Sequence, residues 1–138
     1  MCVKRHDARL SERVEDELAL LRTAYPDLEY LKEGDAHWVR IPSYAVPEGW
    51  SHAGVELAVQ IPASPGQAPY AFRVHPGLQL AGGGQLNNYT YPVATPWGDD
   101  WGQFSWSPVE WVPKADIRAG ANMLNFVRSC ADRLREGA

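Results

Sequence analysis

Val55, Leu57, Val59 and Ile61 alternate strictly with Glu56, Ala58 and Gln60. A period of two with one dry and one partly wet face is the mark of a strand. Leu10, Val14, Leu18, Leu21 and Tyr25 instead recur at helical steps, with Glu12, Arg13, Glu15, Asp16, Glu17 and Arg22 among them. That spacing predicts an amphipathic helix over about residues 7–25, ended by Pro26. Runs at 28–33 and 36–41 flank Gly34-Asp35 and read as a hairpin. A loop follows with Pro47, Gly49 and Trp50. Beyond the 54–61 strand, Pro62, Pro65 and Pro69 form a stiff crossover, since proline fixes φ and lacks an N–H. Phe72 and Val74 then resume the alternation up to His75-Pro76-Gly77.

From 77 to 113 the periodicity disappears. Ala81-Gly82-Gly83-Gly84, Asn87-Asn88, Pro92, Pro96 and Gly98-Asp99-Asp100 supply turn chemistry. Tyr89, Tyr91, Trp97, Trp101, Phe104, Trp106 and Trp111 are costly to leave in water, so they are expected to pin this stretch to the sheet. A second apolar stripe, Ile117, Ala121, Leu124, Val127, Ala131 and Leu134, predicts a closing helix. Asp116 is its expected N-cap, Gly137 follows its end, and Arg128, Arg133 and Arg135 suit its dipole. The expectation is a single α+β domain over 1–138: N-terminal helix, four-stranded antiparallel meander, long aromatic loop, C-terminal helix.

Composition narrows the function classes. A net charge of −4 argues against nucleic acid as the main partner. No apolar run approaches the ~18 residues of a membrane span, and the N-terminus turns charged at once, so a cytoplasmic protein is expected. Cys2 and Cys130 are the two cysteines; no CxxC pair suggests zinc, and no cofactor motif is present. The glycine run lacks the Lys-Ser/Thr of a phosphate loop.

Candidate chemistry is sparse. His75 could serve as a general base or could be structural at its strand end. Cys130 could be a reactive thiol or a half-buried helix residue. Asp99 and Asp100 could pair or could be a solvated turn. The tryptophan cluster could anchor a partner or cap the core.

An N-terminal helix, a meander, the Pro62…Pro65…Pro69 crossover, His75-Pro76 and a Trp-Pro element (Trp106-Ser107-Pro108 or Trp111-Val112-Pro113) together resemble the ubiquitin-conjugating-enzyme (UBC) superfamily. Ile41-Pro42…Pro47-Glu48-Gly49-Trp50 and Phe104-Ser105-Trp106…Trp111…Pro113…Asp116 are closest to the bacterial branch called prokaryotic family E. In that superfamily His-Pro precedes an asparagine that helps the oxyanion, and a thioester-forming cysteine follows. Here Gly77 holds the asparagine position, and no cysteine lies between 77 and 111. The resemblance thus implies an inherited scaffold without thioester chemistry, since that chemistry needs the thiol. It implies binding of a ubiquitin-like protein or an activating-enzyme-like partner, with a JAB-type metallopeptidase in the same setting. The implied binding residues are His75, Pro76, Gly77, Leu78, Tyr89, Tyr91, Trp97 and Trp101. Two alternatives stay open. One is an active transferase with an atypical nucleophile, Cys130 being the internal thiol, or with its cysteine substituted. The other is an RWD-like interaction domain.

Overall fold

The computed structural model describes residues 5–62, 64 and 67–138, with side chains of the first helix from Glu12 onward. Cys2 and Pro65 lie outside the described residues, as does the side chain of Leu10. The chain runs α1 (Arg5–Ala24), β1 (Glu29–Glu33), β2 (Ala36–Ala45), β3 (Gly54–Ile61), β4 (Phe72–His75), β5 (Tyr89–Thr95), β6 (Gly98–Phe104) and α2 (Met123–Arg135). Every pairing is antiparallel. The sheet order is β1-β2-β3-β4-β6-β5, so β6 inserts between β4 and its own hairpin partner.

The sheet therefore has six strands where the sequence pattern predicts four. The stretch read as a long aromatic loop contains β5 and β6. Thr95 shapes their turn: its Oγ1 accepts from the Trp97 N–H at 3.1 Å and donates to the Gly98 carbonyl at 3.3 Å. β5 breaks register on both sides of Val93. Such bulges, beside Pro92 at a sheet edge, erase the alternation that marks β3.

The closing helix also starts later than Asp116. Asn122 is its N-cap: the side chain accepts from the Asn125 N–H, and the Asn125 side chain returns to the Asn122 N–H. This reciprocal pair satisfies two otherwise orphaned donors. Asp116 instead closes a tight turn, accepting from the Arg118 N–H at 3.0 Å.

Both helices lie on one face of the sheet. Leu21, Val39, Ile41, Leu57, Val59, Phe72, Val74, Phe104, Phe126, Val127 and Leu134 form the core there. Polar side chains bind the layers together. Glu17 is buried and accepts from the Met123 N–H at 2.9 Å, tying α1 to the start of α2. Tyr44 Oη donates to the Val127 carbonyl at 2.6 Å, and Trp50 Nε1 donates to that of Leu134 at 2.9 Å. Among the described residues, the opposite face of the sheet carries no helix. A smaller cluster of Trp38, Ala58 and Trp101, with Trp97 at its margin, covers it in part. Among the described residues, no helix is long and apolar enough to cross a membrane.

Candidate functional site

β4 is four residues long, and its alternation decides where the chemistry sits. Phe72 and Val74 are buried towards the helices, which turns Arg73 and His75 to the open face. There His75 Nδ1 lies 2.8 Å from Glu56 Oε2, and Nε2 lies 3.1 Å from Asp100 Oδ2. The His75 ring packs on Trp101, with centroids 5.2 Å apart. Glu56 also accepts from Arg40 Nε at 2.6 Å, and Arg40 Nη1 donates to Glu29 at 2.6 Å. Glu29, Arg40, Glu56, His75 and Asp100 come from β1, β2, β3, β4 and β6, the first five neighbours in the sheet. They form a row of alternating charge across the open face when His75 is protonated.

That arrangement favours the imidazolium. Partial burial pulls the His75 pKa down, but hydrogen bonds to Asp100 and Glu56, and their charge, outweigh it and hold the value above that of a free histidine. Glu56 shows the mirror effect: burial raises it, and hydrogen bonds from Arg40 and His75 bring it below the ordinary carboxylate range. A histidine clamped at both nitrogens has no lone pair to offer as a base once protonated. The raised value also carries a stability consequence. The His75 contribution is fully present below its unfolded value of 6.5 and is lost as pH rises through its folded value. The Glu56 contribution is present above 4.5 and is lost as pH falls through the lowered folded value. The melting-temperature gap between the parent chain and His75→Gln is therefore expected to be widest near pH ~5–6 and to narrow towards pH ~8. A gap that widens with rising pH would contradict the clamp.

The loop after His75 is closed by tyrosines. A Cβ on Gly77 would stand 2.6 Å from the Tyr91 ring and 3.0 Å from Tyr89 Oη. Tyr89 also lies across Gly102, whose added Cβ would meet the Tyr89 ring at 2.7 Å. The Tyr89 hydroxyl accepts from the Leu78 N–H at 3.0 Å. Position 77 therefore has room for no side chain in this conformation.

The structure distributes the expected binding residues unevenly. Pro76 and Tyr91 are exposed, Tyr91 by 55%. His75, Gly77, Tyr89 and Trp97 are half-buried, and Trp97 stands edge-on to Trp38 at 6.1 Å. Leu78 and Trp101 are each only 1% exposed and serve as interior packing. Cys130 is 0% exposed, in the core on the helical side of the sheet, with Sγ 3.4 Å from the Phe126 carbonyl. Burial pushes its thiol pKa well up, which suppresses the thiolate. His75 and Cys130 thus lie on opposite faces of the sheet. Asp100 engages His75 and does not pair with Asp99. Glu56 and Arg40 were not singled out from the sequence, although a charged residue inside the best strand pattern was a usable signal. Trp111 is half-buried against the core margin.

A family model described as Prokaryotic E2 family E matches residues 14–129. No curated protein and no solved structure matches the chain.

Proposed function

The chain belongs to prokaryotic E2 family E, and from that membership we propose that it is a non-catalytic member of a bacterial ubiquitin-like pathway. It binds a ubiquitin-like protein or an activating-enzyme-like partner, and a JAB-type metallopeptidase acts in the same pathway. The observation that carries this reading is the closed His75-Pro76-Gly77 loop. Tyr89 and Tyr91 fill the space that an asparagine side chain needs. A thioester carrier also needs a thiol that can reach a partner's carbonyl and ionise. Cys130 is enclosed in the core with its pKa raised by burial.

Binding falls to what the same region presents outward. Pro76 and Tyr91 stand at the surface, with the Tyr91 ring against Gly77. Tyrosine supplies large contact area at low entropic cost, which makes Tyr91 the strongest anchor of the set. The test is a calorimetric titration of the chain with the ubiquitin-like and activating-enzyme-like proteins of its own host. At least one is expected to bind saturably, and Tyr91→Ala is expected to weaken it by about fivefold or more, the ~1 kcal/mol scale of an interface anchor. Absence of binding to both proteins would overturn the proposal.

A further inference from the structure

Alternation along β4 places Arg73 on the same open face as His75, nearer the proline crossover. Its guanidinium lies over the Trp38 ring, 4.9 Å from the centroid, and its Nε donates to Gln103 Oε1 at 3.0 Å. These two contacts fix the fork in place. The rest of the fork is unanswered. Among the described residues, Nε–H alone of its five N–H groups has an acceptor, and Nη1 is buried without a partner. No carboxylate among the described residues forms an ion pair with it. Burial pulls its pKa below the ordinary arginine value. Arg73 as a whole is half-buried, and a half-buried cation without a counter-ion is stabilised by an anion that reaches its accessible edge.

Arg73 also lines a cavity of about 460 Å³ between the end of β3 and the crossover. That volume lies within the range of small-ligand sites. Gln60, Gln67 and Tyr70 add side-chain hydrogen-bonding groups to its wall, and Ile61 and Pro69 add apolar surface. Asp35 lines the same cavity. Its negative charge repels a phosphate dianion more strongly than a singly charged ligand. We propose that this cavity binds a carboxylate carrying a single negative charge, with Arg73 as its charged anchor and the glutamines as its orienting groups. A planar carboxylate matches the guanidinium fork. The carboxylate comes from a free small organic acid or from the free C-terminus of a polypeptide. The two sources share the same head group and differ in the stem behind it.

The test is calorimetric titration of the whole chain with isobutyrate, acetyl-glycyl-glycine as the free acid, its amide, and inorganic phosphate. At least one carboxylate is expected to bind and the amide is not. Arg73→Gln and Gln60→Glu are each expected to weaken carboxylate binding tenfold or more. Gln60→Glu adds a like charge to the cavity wall and leaves the Arg73 side chain in place, so it serves even if Arg73→Gln fails to fold. Tighter binding of the peptide acid than of isobutyrate supports a chain terminus as the source; equal or tighter isobutyrate binding supports a small acid. The proposal is overturned if acid and amide behave alike, if phosphate binds more tightly than both carboxylates, or if Gln60→Glu binds as the parent does. Neither result bears on the closed His75 loop.

Discussion

Phe104→Ala is expected to lower the unfolding free energy by about 3–5 kcal/mol, the usual cost of truncating a large buried aromatic. Phe104 is 0% exposed. Phe72 stacks on it at 5.0 Å, Trp50 meets it edge-on at 5.8 Å, and Tyr89 tilts against it at 4.7 Å. Arg133 lies over the same ring at 5.1 Å. One side chain of β6 thus joins β4, the segment before β3, the edge strand and α2. Neighbours held by that many elements cannot collapse into the void together, so the cavity term persists. Chemical denaturation followed by circular dichroism measures the loss. A change below about 1 kcal/mol would mean that the aromatic segment is peripheral to the fold.

Gly77→Asn, which places an asparagine after His75-Pro76, is expected to cost about 1–3 kcal/mol through overpacking. The new Cβ would stand 2.6 Å from the Tyr91 ring and 3.0 Å from Tyr89 Oη. Tyr91 is 55% exposed and can swing outward, but Tyr89 is held by the Leu78 N–H and by Phe104. Placing Gly77→Asn in a Tyr91→Ala background should therefore recover part of the loss. A double-mutant cycle isolates that coupling. A neutral Gly77→Asn, or equal costs in the two backgrounds, would show that the tyrosines do not close the loop.

Where local signals agreed, the fold was legible in the chain. β3 spans Gly54–Ile61, as its alternation demands, and Gly34 turns the first hairpin with φ +59. The start of α2 was harder to read because Asp116 and Asn122 are both capping residues. The close approach of Gly120 to the backbone decides between them: its added Cβ would meet the Val112 carbonyl at 2.6 Å and Lys114 N at 2.8 Å. No helical side-chain pattern announces such a contact. β6 was hidden because its large residues serve both faces. Trp101 belongs to the open-face cluster and Phe104 to the main core. Pro92 and the bulges did the same for β5. Likewise, the His75-Pro76-Gly77 motif was visible, while its carboxylate partners lie 19 and 25 positions away. Strand order alone brings them together, and strand order is set by long-range pairing that no local window contains.

Thioester transfer by this chain would be visible in a gel assay. The chain is incubated with ATP and the activating-enzyme-like and ubiquitin-like proteins of its host, then run on a gel with and without reductant. The expected result is no reductant-sensitive adduct on the parent chain and an identical pattern for Cys130→Ala. A reductant-sensitive adduct on the parent chain would show that the protein does carry a thioester, on the enclosed thiol if the adduct vanishes in Cys130→Ala and on Cys2 if it persists.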